Sequence, residues 1–213
     1  DVGRLHALWT LEGMGALQVQ QIEAALKDPV AGVRENAVKL AELHLKDFSA
    51  LVNALLPLEK DADPKVRFQL LLTLGSVNTP AATDVRNKLL FKDINDRWVQ
   101  IAALSAPASQ APALLENVLK NYVESDEAYA SLVEKITAMI GGSGKSQQIH
   151  SLIATATSAG GSKQAAILKG LAAGLRSKKA SLAKSDQQQL VNPFFATNDA
   201  ATRSSALQLL KAT

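Results

Sequence analysis

The chain has 213 residues, of which 47% are hydrophobic and 4% aromatic, and its formal net charge is +3. Leu, Ala, Val and Ile carry most of the apolar content, which is ample for a continuous core and favours helices packed on helices. The chain has no cysteine, which excludes disulfides, zinc–thiolate sites, iron–sulfur clusters and CxxCH haem attachment within these residues. The longest apolar runs, such as residues 70–72, are far too short for a membrane span.

The start of the chain is apolar. It opens at Asp1 without an initiator methionine, enters a helical apolar pattern at once, and has no charged-then-apolar leader. A stack of helical repeats usually carries a polar cap at each end. We therefore expect this chain to be a fragment of a larger protein.

An arginine followed by a helical apolar pattern recurs along the chain, at first about every thirty residues. In four of five copies the residues three, four and seven positions after the arginine are small or apolar, whereas the fourth copy has polar Gln100. This spacing places one stripe on one helical face, and its recurrence is typical of stacked helical units. The five copies begin at Arg4, Arg34, Arg67, Arg97 and Arg203.

A second helical stripe precedes the arginine-led helices, so two helices make one unit. We predict an all-α fold, an α-solenoid of about five or six antiparallel helix pairs, in one domain over residues 1–213. Gly-rich loops at 141–144 and 160–162 are expected to separate the later helices. The further stripes are Val19, Ile22 and Leu26; Phe48, Leu51 and Leu55; Val85 and Leu89; Leu114 and Val118; Tyr129, Leu132, Ile136 and Ile140; Ile149, Leu152 and Ile153; and Ile167, Leu168, Leu171 and Leu175.

Aspartates mark the entries to several of these helices. Asp28-Pro29 and Asp63-Pro64 each place a capping carboxylate before a proline that the first helical turn tolerates. An aspartate also lies four residues before the arginine at Asp63, Asp93 and Asp199. This spacing predicts either a helix-surface ion pair with that arginine or a cap facing a neighbouring repeat.

Two-helix units of this length, with Asp-Pro before the second helix and a Val-Arg pair entering it, resemble HEAT repeats. The best matches are Val33-Arg34 and Val66-Arg67. Residues 4–17, 25–29 and 33–37 are more narrowly similar to the HEAT segment of large bacterial membrane-associated haem-binding (c-type cytochrome) dehydrogenase-like proteins.

In that family a sugar-dehydrogenase-like propeller precedes the repeats, and a cytochrome domain with a CxxCH motif follows them. This chain has neither CxxCH nor a propeller-like strand pattern. The resemblance therefore implies a spacer or docking module between redox domains of an exported, periplasmic protein, without a cofactor of its own.

The segment 141–146, Gly-Gly-Ser-Gly-Lys-Ser, ends like a phosphate-binding loop. The pattern GxxxxGK[ST] requires glycine at the position of Met139, and it should follow a buried strand, whereas the preceding residues have helical spacing. A helix–helix linker is therefore expected here.

Single residues that often carry chemistry are few. His6, His44 and His150 are far apart and lack a carboxylate or second histidine at metal-ligand spacing, so none is expected to be catalytic, and His6 and His44 are expected at surface or interface positions. Trp9 and Trp98 lie in arginine-led helices, where packing between repeats is favoured over stacking on a ligand. No catalytic, metal or cofactor residue is predicted, and the chain is not expected to be an enzyme.

The densest positive cluster is Arg176, Lys178, Lys179 and Lys184, in a predicted connector. It could contact phosphate or an acidic partner. A solenoid that tracks nucleic acid would show a longer basic stripe, and none is evident.

The leading hypothesis is a non-catalytic HEAT-like scaffold that docks a protein partner or neighbouring domain on the face of the arginine-led helices. The alternative is a nucleic-acid-binding HEAT-like domain of the DNA glycosylase type, which would use the positive cluster and a tryptophan.

Overall fold

The computed structural model describes residues 2–178 and 182–211, and its regular elements there are all helical, which confirms the all-α prediction. Short 3₁₀ turns lie at Leu56–Lys60, Leu74–Ser76 and Ala108–Gln110. The α-helices of the described residues are α1 (Val2–Gly13), α2 (Val19–Ala25), α3 (Ala31–His44), α4 (Leu51–Leu55), α5 (Pro64–Thr73), α6 (Pro80–Lys92), α7 (Arg97–Leu104), α8 (Ala111–Lys120), α9 (Glu127–Gly142), α10 (Ser146–Ser158), α11 (Gly161–Lys178), α12 (Lys184–Ala196) and α13 (Ala200–Lys211).

The chain divides into two compact units. The first is Asp1–Ala106, which contains α1 to α7, and the second is Pro107–Thr213, which contains α8 to α13. The sequence-based expectation of one domain over residues 1–213 stays a prediction.

In the first unit the arginine-led helices pack against one another in chain order: α1 contacts α3, α3 contacts α5, and α5 contacts α7. The intervening helices α2, α4 and α6 pack beside them. Most of the predicted stripes are confirmed as core, although Phe48 is exposed. The large side chains that are almost fully buried in this unit are Ile22, Leu40, Leu51, Leu55, Leu70, Leu71, Leu74 and Leu90.

The fourth arginine-led helix, α7, presents a different face to the core than the pattern predicted. Ile101 is exposed, whereas Gln100 is buried and its side-chain amide donates a hydrogen bond to the carbonyl oxygen of Ile94, 2.9 Å away. Because that bond satisfies the amide, a polar residue is tolerated inside. The repeated pattern places Ile101, four positions after Arg97, in the buried stripe, and that expectation is wrong.

In the second unit, α9 contacts α11 and α11 contacts α13, while α8, α10 and α12 lie beside them. The α9–α11 crossing is close because Gly170 and Gly174 of α11 face the backbone of α9. A Cβ atom at Gly170 would overlap Thr137 Oγ1 and the carbonyl oxygen of Glu134, and one at Gly174 would overlap the carbonyl oxygen of Ala138. Only glycine allows this approach.

The Gly-rich segment 141–144 separates two helices as predicted, but its first two residues belong to a helix and not to the loop. α9 continues through Gly142, and Gly141 is buried beside Leu171 of α11. The chain turns at Gly144, whose φ is +70°. Gly141 therefore packs in the helix contact, and Gly144 forms the turn.

The remaining connections are also short. α11 begins within the predicted loop at Gly161, whose φ is +59°. It extends to Lys178, and α12 begins at Lys184. The positive cluster therefore lies partly on helix ends.

Aspartate caps begin several helices, as predicted for Asp63. Its carboxylate accepts a hydrogen bond from the backbone N–H of Lys65, 2.8 Å away, and Pro64 occupies the first turn of α5. Asp199 likewise accepts from the N–H of Thr202 at 2.7 Å. Of the two roles predicted from the four-residue spacing, these two aspartates take the cap.

Candidate functional site

Three ion pairs join successive arginine-led helices of the first unit. In each, the arginine near the start of one helix binds an aspartate in the loop that precedes the next arginine-led helix. We call this set the arginine ladder. It consists of Arg4–Asp28, Arg34–Asp61 and Arg67–Asp93, with shortest N–O distances of 2.8, 2.7 and 3.2 Å.

Arg34 shows how the arginine ladder is built. Its Nε and Nη2 donate to Asp61 Oδ2 and Oδ1 at 2.7 and 2.8 Å, so the pair is bidentate. Its Nη1 donates to the carbonyl oxygens of Asp28 and Pro29 at 2.8 and 3.1 Å. One guanidinium therefore fixes the loop before its own helix to the loop before the next.

Arg67 repeats this arrangement one unit later. Its Nη1 donates to the carbonyl oxygens of Asp61 and Ala62 at 2.9 and 3.1 Å, and its Nη2 donates to Asp93. Asp93 thus pairs with the arginine of the preceding helix, whereas the sequence spacing suggested a local partner four residues later. The ladder is structural, since most of its side-chain polar atoms bond one another or the loop carbonyls, although the buried Nε of Arg67 has no hydrogen-bond partner within the described residues.

Hydrogen bonding lowers the pKa of two ladder carboxylates, Asp28 and Asp61. The hydrogen bonds from Arg34 are the main cause that lowers the pKa of Asp61, with help from the backbone N–H of Asp63. The hydrogen bond from Arg4 likewise lowers the pKa of Asp28. Both carboxylates are therefore held ionised at neutral pH.

The α7 helix carries a surface of different character. Arg97 begins the fourth copy of the repeated pattern. Unlike the arginines of the first three copies, it has no partner within the described residues, and its side chain is exposed. Beside it on α7, Trp98 is 65% exposed and Ile101 is 39% exposed. We call Arg97, Trp98 and Ile101 the α7 patch. The prediction that Trp98 packs between repeats is wrong.

Trp9 is also exposed, although it takes part in the contact between two helices. Its indole Nε1 donates to Asn36 Oδ1 across the α1–α3 contact at 3.0 Å. It therefore supports the stack with its polar edge while part of the ring stays accessible.

The segment 141–146 has the predicted linker character. Helix α9 precedes it, and Lys145 is the N-cap residue of α10. The Ser143 hydroxyl donates to the carbonyl oxygen of Ile140 at 2.7 Å and closes the end of α9. A strand before the loop, which a phosphate-binding loop requires, is replaced by a helix.

Two histidines have carboxylate partners that sequence spacing did not reveal. His44 Nε2 lies 2.7 Å from Glu12 Oε2, and His150 Nδ1 lies 2.6 Å from Asp186 Oδ1, which is buried. Each partner comes from a helix more than thirty residues away in sequence. Across residues 2–178 and 182–211, no group of three or more His, Asp or Glu side chains is placed to hold a metal ion.

The predicted positive cluster is visible in part. Arg176 lies exposed in the last turn of α11, and Lys184 is exposed at the start of α12. The side chain of Lys178 and the whole of Lys179 lie outside the described residues. That these four residues share one surface stays a prediction.

Comparison with known proteins leaves the family open. No family model matches the chain, and no curated protein matches it. A solved structure described as an engineered protein is similar over 90% of this chain and 96% of its own, with 16% identity and a TM-score of 0.42. At that TM-score the likeness carries no argument.

A helix that crosses a bilayer needs about 20 predominantly apolar residues. Within the described residues, none combines enough length with enough apolar character to cross a membrane.

Proposed function

We propose that this chain is a HEAT-like helical-repeat scaffold, an α-solenoid of five or six helix pairs, which docks a protein partner or neighbouring domain and performs no catalysis itself. Two observations support the repeat architecture: the arginine-led helices pack in chain order, and the arginine ladder repeats the same ion pair three times. The resemblance to haem-binding dehydrogenase-like proteins extends this proposal to a spacer in an exported redox protein.

The observation that carries the docking proposal is the α7 patch. The arginines that begin the pattern in α1, α3 and α5 form the ion pairs of the arginine ladder. Arg97 of α7 is unpaired within the described residues and lies beside exposed Trp98 and Ile101. Tryptophan and arginine are among the residues most enriched at positions that dominate binding energy in protein interfaces. An unpaired guanidinium beside exposed apolar area therefore favours a partner that brings a carboxylate and an apolar side chain.

Site-specific photo-crosslinking tests the docking surface. A photoreactive phenylalanine analogue replaces Trp98 in the protein produced from its own gene, and a matched copy carries it at Gln20, an exposed position on α2. We expect position 98 to crosslink to one defined protein or to another domain of the same polypeptide, and position 20 to give none of this product. Equal products at both positions, or none at position 98, would reject the proposal.

The nucleic-acid alternative is supported by the exposure of Arg176 and Lys184 and of a tryptophan, Trp98. Phosphate contacts predict binding to duplex DNA that weakens steeply as salt rises. Fluorescence anisotropy with a labelled duplex at low and physiological ionic strength decides the matter, and absence of binding at low salt removes this alternative.

A further inference from the structure

His150 and Asp186 form a pair that the docking proposal does not use. His150 lies in α10 and Asp186 in the first turn of α12, and these two helices contact each other in the second unit. His150 Nδ1 lies 2.6 Å from Asp186 Oδ1. The Asp186 side chain is 6% exposed, whereas the His150 side chain is 53% exposed. A buried carboxylate therefore holds one nitrogen of an accessible imidazole ring.

The carboxylate fixes which ring nitrogen carries the proton. Within the described residues His150 is the partner of the Asp186 side chain, and no other group bonds it. Because an ionised carboxylate only accepts hydrogen bonds, Nδ1 is the donor and carries the proton. In the neutral ring Nε2 then has a free lone pair. His150 Nε2 forms no hydrogen bond across residues 2–178 and 182–211.

The other two histidines lack this arrangement. His44 Nε2 lies 2.7 Å from Glu12 Oε2, so a carboxylate occupies the nitrogen that is free in His150. His6 is exposed on α1, and its side chain has no partner in the part of the chain that the structure describes. Among the described histidines, only His150 combines a buried carboxylate on Nδ1 with an unoccupied Nε2.

This arrangement suits a nucleophile better than a metal ligand or a general base. A metal ion needs several ligands, and no group of three or more suitable side chains is placed to hold one within the described residues. A general base needs a second nucleophile within hydrogen-bond reach, and His150 Nε2 has none there. A nucleophilic imidazole needs its own lone pair and a group that stabilises the charge developing on the ring. His150 and Asp186 supply both.

We propose that His150 Nε2 accepts a phosphoryl group from an activated donor, an acyl phosphate or a phosphoramidate. The Nε2 lone pair attacks phosphorus and forms an N–P bond. The bond from phosphorus to the leaving carboxylate or ammonia breaks, and its electron pair departs with that group. The ring keeps its proton on Nδ1, where Asp186 stabilises the developing positive charge. Phosphoryl transfer asks the protein mainly for positioning and electrostatic stabilisation. This modification site goes beyond the proposed docking function.

The three histidines test the proposal without any variant. The full 213-residue chain is treated with phosphoramidate at neutral pH, and phosphohistidine is located by mass spectrometry and ³¹P NMR without exposure to acid. We expect His150 to react at least about fivefold faster than His6, because a charged hydrogen-bond partner stabilises its transition state. His44 should react slowest. In concentrated urea the three rates should converge. Reaction of folded His150 no faster than His6 would overturn the proposal.

The role of Asp186 is that of a positioning residue. Asp186→Asn keeps the size of the side chain but removes its charge, so the rate at His150 should fall to about that of His6. The matched control is Glu116→Gln, which removes one negative charge from an exposed residue of α8 and should leave the rate unchanged. Circular dichroism checks that both variants are folded. Equal rates in the two folded variants would overturn the proposal.

The tautomer of the wild-type ring gives a readout that does not depend on a variant. Long-range ¹H–¹⁵N NMR distinguishes a proton on Nδ1 from one on Nε2. We expect the Nδ1–H tautomer at His150, because Asp186 accepts from that nitrogen. His6, which has no carboxylate partner within the described residues, should show the Nε2–H tautomer that free histidine prefers. The Nε2–H tautomer at His150 would also overturn the proposal.

Discussion

Arg34 holds two loops through four hydrogen bonds, and its partner Asp61 has a side chain that is 4% exposed. Arg34→Ala should therefore lower the free energy of unfolding by about 2 kcal/mol, because it leaves a buried carboxylate without its main partner. Arg34→Lys should cost less but not restore full stability, since an ammonium cannot form the bidentate pair. Urea unfolding followed by circular dichroism measures both.

The control for this prediction is Arg4→Ala. The same ion pair occurs there, but the Arg4 side chain is 51% exposed, so water replaces the lost contacts and the effect should be clearly smaller. Equal losses at Arg4 and Arg34 would show that burial does not set the contribution of the ladder.

The contribution of Asp61 should also depend on pH. Arg34 lowers the pKa of Asp61 below its ordinary value of 3.8, so the folded state binds the proton less readily than the unfolded state. The stabilisation is then fully present above that ordinary value and is lost as pH falls through the lowered pKa. The stability difference between wild type and Arg34→Ala should stay constant from about pH 7 to 5 and shrink below about pH 4. A difference that grows in acid would contradict this sign.

The arginines of the ladder are apparent in the sequence, but the four-residue spacing points to the wrong pairings. That spacing pairs Asp93 with Arg97, which follows it in the chain, whereas Asp93 binds Arg67 of the preceding arginine-led helix. In the same way, Arg34 binds Asp61 in the following loop. A contact of this kind depends on how helices stack, and local periodicity does not specify that. The available signal was the regular spacing of Asp28, Asp61 and Asp93 themselves.

At the scale of elements, the α9–α11 crossing leaves no room for added side-chain atoms at Gly170 and Gly174. Gly174→Ala places a methyl group onto the carbonyl oxygen of Ala138, and backbone atoms cannot rotate away. We expect a loss of about 3 kcal/mol or more in the free energy of unfolding, at the upper end of overpacking effects. Chemical denaturation measures it.

A glycine in open space provides the matched control. Gly32 lies in the first turn of α3, and no atom lies within 4 Å of the place that an added methyl group would occupy. Gly32→Ala should therefore be neutral or slightly stabilising, because alanine favours helix. If Gly174→Ala proved as mild as Gly32→Ala, the close approach of α9 and α11 would be refuted.

Helical periodicity predicted the elements better than it predicted their surroundings. The stripes through Leu132 and Ile136 and through Ile167 and Leu171 are buried as expected. Spacing shows which residues share a helical face but not whether a neighbouring helix covers it, which is why the prediction for Trp98 was wrong. The Gly-x-x-x-Gly spacing of residues 170–174 was a readable sign of close helix packing that apolar stripes alone do not contain.

At the scale of the whole molecule, the two units differ in charge. Residues 1–106 contain twelve basic and thirteen acidic residues, and residues 107–213 contain eleven basic and seven acidic residues. Each unit also has its own buried core. Because each unit has its own core, the two units can be produced and studied separately.

Residues 1–106 and 107–213 should each fold when produced alone, since a unit with its own core meets the requirement for independent folding. We expect helical circular dichroism and one cooperative urea transition for each fragment. In the full chain, Arg34→Ala should speed amide hydrogen exchange within residues 1–106, and Gly174→Ala within residues 107–213. A fragment without a cooperative transition would show that the unit boundary is not a folding boundary.

The arginine ladder also bears on how the chain is made. Its three links join residues only 24, 27 and 26 positions apart, and contacts that are local in sequence are associated with rapid folding. At about 5–20 residues per second of synthesis, each link awaits only a few further seconds of translation after its arginine has been added. The first unit can therefore assemble link by link as it leaves the ribosome, before the second unit has been synthesised.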